Sequence, residues 1–491
     1  MTGTHYERLG FLDSTFLAME GPTTPMHVGA TLLFETGSLA RPDGGVDVDR
    51  IRALIVDRLR YVPRYRQRLE WIPIERHPVW VDDAHFDLEY HVRHTALPHP
   101  GTEAQLRALA GRIFAQRLDR GRPLWECWVV EGLGEDRFAL VTKVHHCMID
   151  GVAGVDLLTV LLSPVPDSSI GDPEPHEARP APSPRQLLRD EALRRLKGPL
   201  DVSRGLRRFV EDTRDLSAEV SHRVRAMTMT ARSGWFHNAS LTPINRRIGP
   251  NRTVAWLETE LAGAKAVKDR FGGTVNDVII AAVAGGMRAF LREDRGCDVD
   301  DLDFRAMVPV SLRGELPVVG QLGNQITMWL VDLPIAEGDP VARLEAVSAA
   351  TRHLKETDQA LGAAMLAQGA SWSPGTLLSV AARVAASTVR PFNLTVTNVP
   401  GPQIPLYLLD SLMIANYPLV PLWVNHGVSI ALFSYDGRLA WGLAGDSDLV
   451  PDLDAVATRL EAALGELVAA AAPRRRPRTR TAAAAAEGPD S

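Results

Sequence analysis

Cysteine is scarce in this sequence: three residues in 491, Cys127, Cys147 and Cys297. Their spacing fits neither a disulfide framework nor a zinc site, and so low a count predicts a reducing, intracellular setting. Long apolar runs are missing too. No stretch approaches the roughly 20 residues that span a bilayer, so any membrane contact is expected to be peripheral. The opening MTGTHYERLGFLDSTFLAMEG carries charges early and has no extended apolar core ahead of a small-residue cleavage site, so no secretory signal is expected there. A basic excess is also lacking. The formal net charge is −6, which removes the electrostatic footprint of a duplex binder and argues against nucleic acid as a partner. The chain has no G-x-S-x-G, H-E-x-x-H, Walker-type or G-x-G-x-x-G pattern. The hydrolase elbow, the zincin site and the nucleotide cradles built on those patterns are therefore excluded.

What remains is a globular balance, 45% hydrophobic and 23% charged residues. The chain is long enough for more than one core at about 100–200 residues per domain. Strand-like and helix-like pieces alternate from the start: HVGATLLF from His27 as a strand, then helical patterns from Asp47 and Glu103. Cys127–Val130 and Phe138–Val144 read as two strands of a hairpin, joined through the turn chemistry of EGLGED. After Ser163 a run of prolines through Pro184 marks a linker or surface loop, and a charged helical stretch over about 185–232 follows as a bridge or lid. The second half restarts with a strand from Arg252 and the helix TVNDVIIAAVAGGMRAF, which Thr274 can cap with Asp277 in the capping-box position. Further strands are expected at FRAMVPVSL, FNLTVTNVP and VSIALFSYDGRLAWGL, the last turning at Asp436-Gly437. The expected division is 1–163, a bridge over 164–240, 241–470, and a tail over 471–491 too polar and alanine-rich to bury a core.

The stretch VTKVHHCMIDGVAGVDLL holds the chemistry. A histidine ending an apolar strand is more often structural than functional, and strand alternation puts His145 with Val141 and Lys143 on one face. His146 follows Leu140, Thr142 and Val144 on the other, so only one imidazole can face a given cavity. Asp150 could accept from an imidazole, pair with an arginine or order the turn at Gly151, and the turn is favoured. An unperturbed imidazole titrates near 6.5 and is available as a base at neutral pH. A positioned histidine with no serine or cysteine nucleophile suits proton abstraction from an alcohol or amine as it attacks an activated acyl group.

HHCMIDG has the form HHxxxDG of the superfamily of CoA-dependent and carrier-dependent acyltransferases. The segments LDSTFLAMEGPTTPMHVGATLLFE, VPRYRQRL, RPLWECWVVEGL, TVNDVIIAAVAGGMRAFL, AMVPVSLR, LGNQI, TNVPGP and VSIALFSYDGRLAWGLAGD follow in consistent order. Together they resemble the bacterial wax ester synthase/diacylglycerol acyltransferase family from about Leu9 to Glu466. The resemblance implies an α/β fold of two chloramphenicol-acetyltransferase-like subdomains, each a mixed sheet with helices, around a central tunnel. It implies transfer of a long-chain acyl group from acyl-CoA, a substrate and not a cofactor, to diacylglycerol or a fatty alcohol. No cofactor or metal is implied. His146 would be the general base, with His145 and Asp150 in support, Gly151 at the turn, and Asn276 and Asp277 shaping the site.

Other residues have plainer readings. Arg64, Arg66 and Arg68 could meet CoA phosphates, but a solvated face is the expectation. Trp125 and Trp441 could line a tunnel or simply fill the core, and His27 is expected to pack or hydrogen-bond. The expected location is cytoplasmic, with peripheral contact to the inner face of the plasma membrane or a lipid inclusion. The RRRPRTR tail could touch such an anionic surface. Two alternatives stay open: a non-catalytic lipid-binding or inclusion-surface protein, and an acyltransferase for another alcohol or an amine.

Overall fold

The computed structural model describes residues 6–42, 45–134, 136–148, 157–171, 177–194, 237–311, 326–356 and 390–472. Fifteen strands, β1 to β15 in chain order, form three sheets among them. A small one pairs β4 (Pro78–Asp82) with β1 (Glu7–Arg8) and β3 (Gln67–Trp71). The first large sheet runs β12 (Tyr407–Leu408), β13 (Ser411–Leu419), β2 (His27–Glu35), β7 (Arg137–His145), β6 (Trp125–Leu133) and β5 (Val92–Ala96). Only its β5–β6 pair is parallel. The second runs β10 (Ile326–Asp332), β9 (Arg305–Ser311), β11 (Leu394–Pro400), β14 (Val428–Tyr435), β15 (Arg438–Asp446) and β8 (Arg252–Glu260), with β11 parallel to both neighbours. Two mixed sheets with helices are the expected α/β architecture.

Alternation decides which face of β7 meets which layer. Phe138 and Leu140 enter the core beneath the helix Val48–Arg58, beside Ile51, Leu54 and Ile55. Ala139 and Val141 face the helix Glu103–Ala115, with its Leu106, Ala110, Ile113 and Phe114. That second core is shared between the halves, because Val254 and Trp256 of β8 and Ala440 and Ala444 of β15 close it. Gly111 permits the approach: a Cβ there would lie 2.6 Å from the Arg252 carbonyl oxygen. On the far side of the second sheet the helices Leu261–Phe271, Val275–Ala289, Pro340–Glu356 and Leu453–Ala471 bury the largest apolar core.

The expected division needs one correction. Residues 407–419 fall within the second half by sequence, yet β12 and β13 belong to the first sheet, where β13 pairs with β2. The partner of β13 is some hundreds of residues away, so no local pattern reveals the exchange. The helix expected from about 185 is present where that stretch is described. Pro184 opens a helix over 184–194, with Ser183 and Gln186 exchanging cap hydrogen bonds (3.3 and 2.7 Å). Proline's fixed φ and missing N–H suit that first helical position. Leu187 packs on Ile72, Val79 and Val81, and Arg179 grips Asp82 with both ends of its guanidinium at 2.8 and 2.9 Å. This described part of the bridge is anchored on the small sheet; 195–236 and the tail from 473 lie outside the described residues. Among the described residues no single helix is long and apolar enough to cross a membrane.

Candidate active site

β7 delivers the double histidine, but the strand ends at His145, and His146–Met148 form one turn of 3-10 helix. Alternation therefore stops one residue earlier than the sequence suggests. Both rings meet the helix Phe11–Met19 and its C-cap instead of pointing to opposite sides of a sheet. His146 stacks on Phe16, with ring centroids 3.8 Å apart and planes at 21°. His145 is buried and faces Glu20, its Nε2 3.7 Å from the carboxylate Oε1. Phe16 and Glu20 are one helical turn apart, so one element addresses both imidazoles.

Three backbone bonds hold the turn. The His145 N–H donates to the Leu124 carbonyl (2.9 Å), and the His146 N–H donates to that of Met26 (2.8 Å). The Cys147 N–H donates to His145 Nδ1 at 3.2 Å. An Nδ1 that accepts carries no proton, so His145 is the Nε2–H tautomer with its N–H toward Glu20. Burial pulls the His145 pKa down to about 3. It is a neutral clamp on the turn that bears His146.

Glu20 anchors this arrangement. Burial acts to raise its pKa, but contacts with His27 and Arg120 outweigh it and hold the carboxylate well below its ordinary range. Arg120 donates from Nε (3.0 Å) and Nη2 (2.6 Å) to Glu20 Oε2, and His27 Nε2 lies 3.4 Å from Oε1. Next to this group Lys143 is buried on the same face of β7. Its ammonium donates to the carbonyls of Ile113 (3.0 Å) and Gln116 (2.9 Å) and lies 3.3 Å from Glu126. A cation at those carbonyls satisfies the end of the helix Glu103–Ala115. A polar cavity of about 500 Å³, lined by Glu20, Arg120, Arg93, Glu126, Tyr90 and Gln116 among others, opens beside these charges.

The remaining expectations divide. Asp150 and Gly151 lie outside the described residues. Asp277 is buried in a capping box with Thr274 (2.7 and 3.1 Å) and also accepts from Thr351 Oγ1 at 2.7 Å, which makes it a structural tie between two helices. Asn276 is half-buried on the first turn of that helix. Trp125 and Trp441 are core residues whose indoles donate to the Tyr65 carbonyl and to Thr259 Oγ1. His27 is buried, and its Nε2 accepts from the Leu118 N–H at 3.4 Å, so it packs and hydrogen-bonds as expected. The solvated reading of the arginines fails for Arg66, which is buried and donates to the Val56 carbonyl. Arg64 pairs with Glu7 and Gln67, and Arg68 with Glu70. Sequence reasoning assigned no role to Phe16, Glu20 or Arg120. The available signal was an acidic residue directly after the apolar stretch FLAM. Among the described residues no cluster of side chains suits a metal ion.

Comparison with known proteins agrees with this architecture. Residues 9–279 match the wax ester synthase/diacylglycerol acyltransferase catalytic domain, and residues 322–468 match the C-terminal domain of the same family. A putative diacylglycerol O-acyltransferase of Mycobacterium tuberculosis is 34% identical, over 94% of this chain and 90% of its own. A probable diacylglycerol O-acyltransferase of the same species is 31% identical, over 93% and 95%. Among solved structures, the wax ester synthase/diacylglycerol acyltransferase of Marinobacter aquaeolei VT8 superposes with a TM-score of 0.64 at 27% identity, covering 94% of this chain and 99% of that one. The starter condensation domain of rhizomide synthetase shares the fold, with a TM-score of 0.57 at 12% identity over 96% of each chain.

Proposed function

Because this chain belongs to the wax ester synthase/diacylglycerol acyltransferase family and is an acyl-CoA-dependent O-acyltransferase, we propose that His146 is the general base of its reaction. Acyl-CoA and a diacylglycerol or long-chain alcohol are its substrates. His146 takes the proton from the acceptor hydroxyl as that oxygen attacks the thioester carbonyl carbon. The tetrahedral intermediate collapses by breaking the carbon–sulfur bond, and the departing CoA thiolate takes the proton back from the imidazolium. The product is triacylglycerol or a wax ester together with free CoA. The thioester itself supplies the activated acyl group, so the scheme needs no cofactor.

The observation that carries this reading is the division of labour between the two histidines. His145 accepts from the backbone of the turn and is buried facing Glu20, whereas His146, next along, is held by its own N–H and presented on the ring of Phe16. In this reading Asp150 and Gly151 continue the turn that holds His146, and Asn276 and Asp277 support the site through the packing of their helix. Both acceptor lipids partition into membranes and lipid droplets. The proposal accordingly places the enzyme in the cytoplasm, peripheral to the inner face of the membrane or to an inclusion.

Labelled palmitoyl-CoA supplied with diacylglycerol or with a fatty alcohol tests the assignment. His146→Ala should lose at least about a hundredfold in ester formation with both acceptors while retaining the folded state. Full acyl transfer by that variant would overturn the role of His146.

A further inference from the structure

The turn after β13 brings a large aromatic from the second half to the histidine. Trp423 lies 6.3 Å from Phe16, ring centroid to centroid, and Phe16 is the residue stacked on His146. On its other side Trp423 meets Phe392 edge-on at 6.2 Å. Phe392 packs with Met307, Leu330 and Met328 in an apolar cluster separate from the helix-covered core.

Strand alternation explains that separation. On β9, Ala306 and Val308 point into the helix-packed core, and on β10 Val331 does the same. Met307 and its cross-strand partner Leu330 therefore point to the opposite face, as does Met328. An apolar row thus runs from His146 across Phe16 and Trp423 to the Met307 face of the second sheet.

Trp423 is rigidly placed on this row. The His426 N–H donates to the Trp423 carbonyl at 3.0 Å, closing the turn, and the Gly427 N–H donates to the Ile244 carbonyl at 2.7 Å. The His426 ring stacks on Phe392 at 4.2 Å, with its two nitrogens 2.6 Å from the Val424 carbonyl and 2.8 Å from that of Phe392. A half-buried tryptophan whose turn is tied down in this way makes a fixed wall. The methionines beyond it are unbranched and adapt to what lies against them.

We propose that Trp423 is a specificity-determining residue that sets the length and bulk of the substrate's methylene chain, which runs past it from His146 toward Met307 and Met328. The inference rests on His146 marking the reaction centre. A saturated chain is the occupant because the row is apolar over its whole course and begins at the group that meets the reacting oxygen. Both substrates carry such a chain, the acyl group of the thioester and the alkyl part of the acceptor.

The test measures kcat/KM for wild type, Trp423→Ala and Trp423→Phe in two series. One varies acyl-CoA chain length at a fixed alcohol, and the other varies primary alcohol length at a fixed acyl-CoA. Trp423→Ala should shift preference toward longer or branched chains in one series by on the order of tenfold, and Trp423→Phe should shift it less in the same direction. The series that responds identifies which chain passes Trp423. Loss of the same factor at every length in both series overturns the proposal. Should Trp423→Ala not fold, Trp423→Phe and Met328→Ala carry the same readout. His146→Ala is assayed in parallel. Retained turnover there overturns the base assignment alone, and unchanged selectivity in the Trp423 variants beside an inactive His146→Ala overturns the chain wall alone.

Discussion

Phe16 lies flat against His146, the two ring centroids 3.8 Å apart. The first helix of the chain thereby sets the plane of an imidazole that follows it by well over a hundred residues. Stacking leaves the ring nitrogens at the edge of the contact.

Phe16→Leu keeps an apolar side chain and removes the flat surface. The imidazole then gains rotational freedom, and loss of a fixed orientation should lower kcat by roughly tenfold to a hundredfold with a smaller change in KM. Steady-state kinetics with one acyl-CoA and one alcohol decide this, and an unaltered kcat would show that the stack does not orient His146 for the reaction.

Glu20→Gln preserves shape and removes the charge that Arg120 grips at 2.6 Å. An amide leaves the guanidinium without its counterion and weakens the hold on His145, for a destabilisation of about 2 kcal/mol. The kcat should fall with it, because His145 clamps the turn under His146. A double-mutant cycle with Arg120→Gln measures the coupling. Additive effects of the two substitutions would mean that the pair does not act as a unit.

Acid sensitivity follows from the buried histidines. With its pKa drawn down to about 3, His145 stays neutral in the folded chain, whereas the unfolded chain binds a proton there below about pH 6.5. Stability is fully present above that value and declines as pH falls toward 3, by up to about 1.4 kcal/mol per pH unit for this group. Burial lowers His27 and His91 as well, which steepens the loss. Urea midpoints compared at about pH 7 and about pH 5 should drop for the wild type and drop less for His145→Asn. Equal drops would remove His145 from the account.

Gly442 tests the seam between the sheets. A Cβ at this position of β15 would lie 1.8 Å from the Pro418 carbonyl oxygen on β13, a backbone atom with no freedom to yield. Gly442→Ala should cost at least about 3 kcal/mol. Gly465, in the helix Leu453–Ala471, has nothing within 4 Å of the same added atom. Gly465→Ala should instead stabilise by roughly 0.5–1 kcal/mol through helix propensity. Thermal unfolding of the two variants gives the comparison, and a tolerated Gly442→Ala would show that β13 and β15 can part without loss.

Local physics was enough for much of this protein. Alternation along Phe138–Val144 assigned side chains to two layers because a strand must present successive residues to opposite faces. Thr274 and Asp277 announced a helix start because a hydroxyl and a carboxylate three residues apart can satisfy the first free N–H groups. HHCMIDG, with its accompanying segments, marked the family and the candidate base. Tertiary structure alone decided which groups meet. Glu20, His27, Arg120 and His145 converge from distant parts of the chain. β13 crosses into the first sheet, and Trp423 reaches Phe16 from the far half. Long-range contacts such as these depend on where whole elements pack, and the residues on either side of each contact carry no local sign of it.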